Sequence, residues 1–374
     1  MPSHVPTPEQ VNPAAPDLSA APELPRAGLA TGVGSLPGDD PRQATREVFE
    51  LLPELPYLPE LPGRGPGATM IGRGVALLGL AGHLHADVQP SGWRLVDRAG
   101  LDERRAIDLL DRDLDALEEV AQGWSGPLKL ALLGPLTAAA GLELGRGEAV
   151  LADHGASRDL AEAIADTAST LVEQVRRRVP GAQVLVQIDE PALPAVRAGQ
   201  VPTASGFGRL RPVDEATAVE RLGQVLRAVA EAGGYPLVHC CAPSPPIGLF
   251  VRAGARAVSI DATTLTGRDD DALGEAVEAG VRIFLGAVPS LDPVPVPGVR
   301  ALLGPVLDRW ARLGFSGPRL AEIVITPACG LAGASPGWAT TAMRRSRDLA
   351  RALDEAQFDN PQPDESHASP RGKR

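Results

Sequence analysis

Two stretches of the chain end apolar runs in soft metal ligands. LVHCCAP (237–243) carries His239, Cys240 and Cys241, and ITPACGL (325–331) carries Cys329. In an extended strand successive side chains face opposite ways, so His239 and Cys241 project to one side and Cys240 to the other. An imidazole and a thiol at i and i+2 can grip one ion. A third run, SIDAT (259–263), ends at Asp261. Two thiolates, an imidazole and a carboxylate are ligands that zinc accepts in a tetrahedral arrangement. The same residues are compatible with simple burial, because cysteine is a common small core residue. A bulge near residue 240 would exchange Cys240 for Cys241.

These residues need a frame that brings distant strand ends together. Eight β-prone runs alternate with longer helical patterns: GLATGVGS (28–35), HLHADVQ (83–89), PLKLALLGP (127–135), QVLVQIDEP (183–191), YPLVHCCAP (235–243), AVSIDATTL (257–265), VRIFLGAVP (281–289) and EIVITPACG (322–330). Between them lie segments such as DEATAVERLGQVLRAVAEAG, whose apolar residues recur at three- and four-residue intervals. The alternation predicts an α/β fold, a TIM (β/α)8 barrel, with a doubly wound open sheet as its competitor. In a barrel the chemistry gathers at the carboxyl ends of the strands. Residues 1–26 and 357–374 read as disordered tails, and 27–356 as one catalytic barrel. Whether residues 37–82, with their repeated prolines, form a lid over the barrel mouth is open, since Pro-rich loops of this length can be either ordered or mobile.

Composition narrows the function. The 374 residues are 44% hydrophobic but only 3% aromatic, with a formal net charge of -11. Basic residues are scattered, which argues against nucleic acid as a partner. No run approaches the roughly 20 apolar residues of a membrane helix, and the amino terminus lacks the pattern of a signal peptide. Neither a membrane partner nor export is expected, and the cytoplasm is the expected location. An odd count of three cysteines argues against a disulfide framework. Lysine occurs only at Lys129 and Lys373. His83 and His85 share one strand face but sit early in their run and read as structural. The acidic stretch DLLDRDLDALEE reads as a solvated helix face.

GVGSLP (32–37), GPLT (134–137), QIDEPAL (187–193), HCC (239–241), SIDAT (259–263) and PACGL (327–331) resemble, in the same order, the carboxyl-terminal catalytic barrel of cobalamin-independent methionine synthase. The resemblance implies zinc held by His239, Cys241, Asp261 and Cys329, with Asp261 standing where the family usually has the longer Glu. It implies that Val33, Gly34 and Ser35 hold the carboxylate of homocysteine, and that Asp189, with Glu190 beside it in the DEPAL motif, meets the ammonium. Glycine allows backbone N–H groups to approach an anion, and an ionised Asp pairs with a cation. The plainer readings are a tight turn at Gly34 and a helix-capping or loop role for Asp189 and Glu190. The activity implied is methyl transfer to homocysteine or another small thiol.

Several departures from that family concern the methyl donor. AAAGLEL (138–144) stands where an aromatic residue stacks on folate, and Ala195 where a Glu contacts the pterin. The family's second, amino-terminal barrel is not expected within this length. The resemblance to shorter, single-barrel relatives implies a corrinoid methyl carrier as donor instead. Leu291 replaces the histidine proton donor, which leaves neighbouring Asp292 as the candidate proton carrier. The acidic residue expected after the second strand is replaced, on this alignment, by VQPSGW (88–93), with Gln89 and Trp93 nearby. The competing functions are a barrel that binds zinc or an amino acid without turnover, and a metal-independent enzyme like uroporphyrinogen decarboxylase.

Overall fold

The structure, a computed structural model, describes residues 24–25, 28–315 and 317–359. Among the described residues nine strands are formed: β1 His85–Gln89, β2 Gly92–Val96, β3 Ser125–Leu133, β4 Leu142–Glu143, β5 Gly181–Asp189, β6 Tyr235–Cys240, β7 Ala257–Asp261, β8 Arg282–Val288 and β9 Val324–Pro327. Six of them make a parallel sheet in the order β3-β5-β6-β7-β8-β9. Two short extended segments close it into a ring. Thr31 N–H donates to the Ile325 carbonyl at 3.0 Å, Glu60 N–H to the Gly34 carbonyl at 3.1 Å, and Leu58 N–H to the Lys129 carbonyl at 2.9 Å. Segments 29–35 and 56–60 are therefore the first two staves of an eight-membered TIM-like barrel, with helices between successive staves.

The second stave is not where periodicity placed it. HLHADVQ lies outside the ring: β1 pairs antiparallel with β2 in a hairpin, and β2 pairs with β4. The stave is PYLPE, within a stretch whose prolines argue against a strand because proline cannot donate to a ladder. It is tolerated because the bonds across to its neighbours use the N–H groups of Leu58 and Glu60. Residues 37–82 accordingly form wall, not lid: helix Pro41–Leu51, this stave, and helix Met70–Leu80.

Wall helices begin where an Asp side chain accepts from the first free amides, as at Asp40, Asp153 and Asp214. Helix Leu101–Val120 turns Ala106, Leu110, Leu114 and Leu117 inward at helical spacing. Its acidic side is not simply solvated, since Glu103 and Asp113 are both buried.

The barrel interior is layered. Leu24, Leu29, Leu55, Leu185, Leu237, Phe284 and Val324 pack an apolar floor, each fully buried side chain contributing roughly 2 kcal/mol. Above the floor come buried polar groups at Thr31, Lys129, Gln187, Ser259 and Thr326. Gly32 is required at its position, because a Cβ there would lie 2.3 Å from the Tyr57 ring. The burial of Leu24 extends the ordered body before residue 27, and helix Pro336–Asp359 carries it past residue 356. The remainder of both proposed tails lies outside the described residues.

Candidate metal centre

The ends of β6 and β9 meet at the carboxyl face of the barrel. The strand alternation holds through Cys240, which turns outward into the core with 0% exposure, its thiol pushed up to about 12 by burial. His239 and Cys241 turn inward. Cys329 follows β9, and its sulfur lies 3.1 Å from that of Cys241. One ligand atom from each of His239, Cys241 and Cys329 lies within 4.8 Å of the others, and this is the one such group of metal-competent side chains among the described residues.

The imidazole is already oriented. Its Nδ1 lies 2.9 Å from Ser259 Oγ on the neighbouring β7, while Nε2 is buried and has no partner among the described residues. A buried imidazole nitrogen without a partner costs free energy unless something occupies its lone pair. Two soft sulfurs beside it complete a donor set that suits zinc. The hydrogen bond between the two sulfurs and the neighbouring His239 imidazole pull the Cys329 thiol down to about 4, while the same bond and burial push the Cys241 thiol up. The thiolate is the form of cysteine that binds metal.

Two residues named from the sequence are not brought to this group. The Asp261 carboxylate accepts from Thr263 N–H at 2.8 Å and Thr263 Oγ at 2.7 Å, closing the turn after β7. Asp292 is exposed and accepts from the Ser335 N–H and hydroxyl, bonds that hold its carboxyl below the usual range and brace the Ser335 side chain that accepts from Trp338 N–H at the start of helix Pro336–Asp359. A carboxylate held ionised in this way is a poor proton donor. His85 pairs with Glu103 at 2.8 Å, and His83 stands 3.7 Å from Asp166, both outside the cluster.

A cavity of about 310 Å³ opens over the sulfurs, lined by Val33, Gly34, Ser35, Asp189, Thr69 and Met70 among others. Burial pushes the Asp189 carboxyl up to about 7 against the pull of His239 and Lys129. Glu190 does not line the cavity. Its two oxygens accept from Leu136 N–H, Thr137 N–H and the Thr137 hydroxyl at 2.7–2.8 Å, and it is fully buried. It caps the start of helix Pro135–Gly141, whereas Asp189 lines the cavity.

Sequence reasoning missed Glu60. This residue ends the second stave, lines the cavity and pairs with buried Arg73 at 3.1 Å; burial raises its carboxyl. Arg73 in turn pairs with Asp113, which also accepts from Arg64 at 2.9 Å. Assigning the second stave to residues 83–89 hid Glu60, since an acidic residue was expected at the end of that stave. Ser259 was also missed, although it precedes Asp261 by two on the same inward face.

No curated protein sequence matches the chain. A B12-independent methionine synthase from Shewanella sp. W3-18-1, solved in complex with selenomethionine, superposes with a TM-score of 0.57 at 12% identity, covering 89% of this chain and 100% of that one. This likeness establishes the fold. The carboxyl transferase domain of Rhizobium etli pyruvate carboxylase, solved with 3-bromopyruvate, reaches a TM-score of only 0.24 at 14% identity over 63% of this chain and 44% of that one, too slight a likeness to build on. A family model matches residues 126–352, from the second residue of β3 through β9 and including His239, Cys241 and Cys329, and the chain therefore belongs to the cobalamin-independent synthase catalytic-domain family.

Proposed function

We propose that this barrel is a zinc-dependent methyltransferase that activates homocysteine or a similar small thiol. The observation that carries the reading is the buried, unpartnered Nε2 of His239 facing two sulfurs 3.1 Å apart. His239, Cys241 and Cys329 would hold the ion. A zinc ion supplies there the acidity that strips a coordinating thiol of its proton at neutral pH.

The chain's own residues do the rest. Asp189 and Glu60 offer negative charge to a substrate ammonium, and Glu60 is our candidate for the acidic residue at the end of the second stave. The 33–35 turn offers backbone N–H groups to a carboxylate. Walls of Pro62, Met70 and Pro191 limit water around the sulfur, and fixed placement of both reactants lowers the entropic cost of the transfer.

For the donor we propose a corrinoid methyl carrier. Phe207, on the loop beyond β5, and Leu291, Val294 and Val296, on the loop beyond β8, are exposed apolar residues on segments that leave the carboxyl face of the barrel. Among the described residues no helix is long and apolar enough to cross a membrane. We place the protein in the cytoplasm, because a centre built on two free thiols needs reducing surroundings.

The experiment is metal analysis with a methylation assay. Purified protein should carry about one zinc per chain, Cys329→Ser should lose it, and zinc-loaded protein should form methionine from homocysteine with methylcobalamin. Full zinc content in Cys329→Ser would remove the centre. Zinc without product from methylcobalamin or methylated folate would favour a binding barrel, a second reading that the outward-facing Asp292 supports.

A further inference from the structure

Between the apolar floor and the cavity lies the only lysine among the described residues. Lys129 is 1% exposed, in a chain whose other lysine is Lys373. Its ammonium donates to the Val33 carbonyl at 2.7 Å and to Gln187 Oε1 at 2.9 Å, and stands 5.3 Å from the centre of the Tyr57 ring. Gln187 continues the chain of contacts. Its Nε2 donates to the same Val33 carbonyl at 2.9 Å and to Asp189 Oδ1 at 2.7 Å.

The chemistry of the two ends dictates the direction of the amide between them. An ammonium can only donate and an ionised carboxylate can only accept. Gln187 must therefore turn its oxygen to Lys129 and its nitrogen to Asp189. Without the ammonium the amide loses the partner that sets its sense, and a flipped amide would set oxygen against the Asp189 carboxylate. Both donors also converge on the carbonyl of Val33, the first residue of the turn that faces the cavity. The buried positive charge further offsets the negative charge of Asp189 and Glu60.

We infer that Lys129, acting through Gln187, is a positioning residue that holds the 33–35 turn and the Asp189 carboxylate in fixed relation, so that the site recognises the paired charges of an α-amino acid. This deepens the proposed function and rests on its amino-acid reading. Lys129 touches no reacting atom. Arginine would not serve here, because its planar fork is bulkier than a single ammonium nitrogen.

Calorimetric binding to the zinc-loaded protein tests this, with L-methionine and with 4-(methylthio)butanoate, which lacks the α-amino group. The wild type should prefer L-methionine. Lys129→Met should lose about tenfold or more of that preference while retaining zinc. Gln187→Leu keeps the ammonium and cuts the link, so it should show the same loss, and it decides the matter if Lys129→Met fails to fold. A folded variant that keeps the wild-type preference, or that weakens on both compounds alike, overturns the inference. A wild type that binds neither compound instead overturns the amino-acid reading itself.

Discussion

The Nδ1 of His239 meets the hydroxyl of Ser259 at 2.9 Å, across two neighbouring strands and 20 residues of sequence. That contact fixes the ring so that Nε2 faces the sulfurs. Outer contacts of this kind orient ligands and raise their basicity. Ser259→Ala should therefore weaken zinc affinity by about tenfold or more while the fold persists. Competition with a chromogenic chelator measures it, and an unchanged affinity would show that the ring needs no such support.

Asp261→Ala should keep its zinc. The carboxylate is engaged by Thr263, and its removal costs about 1 kcal/mol of local stability through the lost turn bonds. Zinc lost to the extent seen for Cys329→Ser, measured by the same chelator competition, would show that Asp261 leaves its turn to bind the ion.

Asp113→Ala should be far more damaging than its distance from the sulfurs suggests. Arg64 and Arg73 would both remain buried without their shared partner, and breaking such a pair costs about 3–5 kcal/mol. Urea unfolding reads the loss. Because Arg73 also pairs with Glu60, affinity for the amino acid should fall with it. A cost below about 1 kcal/mol would mean that water reaches these groups.

Stability above neutral pH should carry the signature of Lys129. Burial pushes its ammonium down to about 8 in the folded chain, below the unfolded value of 10.5. Between these values the unfolded chain binds more protons, so this group's contribution rises with pH from about 8 to 10.5 and is unfavourable and constant below. Wild type and Lys129→Met compared by urea unfolding at pH 7.5 and 10 should differ in slope, the wild type gaining about 1–3 kcal/mol more. Parallel profiles would show that Lys129 titrates normally.

Much of the site was legible because strands impose a period of two. Alternation alone put His239 and Cys241 on one side of HCC and Cys240 on the other, and carboxyl-end placement followed from the barrel. Alternation says which way a side chain faces but not what claims it. Asp261, Asp292 and Glu190 all carry suitable chemistry, yet each is engaged by a local turn or helix start. Glu60 escaped notice for the opposite reason: prolines around it mask a stave that still pairs through the N–H groups of Leu58 and Glu60 and the carbonyls of Pro56 and Glu60.

By itself, then, the sequence determined the barrel, its number of staves and the inward pair on β6, because hydrophobic periodicity and alternation are local properties of the chain. Only the tertiary structure decided that the Cys329 sulfur stands beside that of Cys241 while the Asp261 carboxylate is engaged by Thr263, and that Glu60 ends the second stave. It also decided that the interior charges of Lys129, Arg73 and Asp113 find partners. These outcomes depend on distances between segments far apart in sequence, set by ring closure and by competition among hydrogen-bond partners that no local pattern encodes.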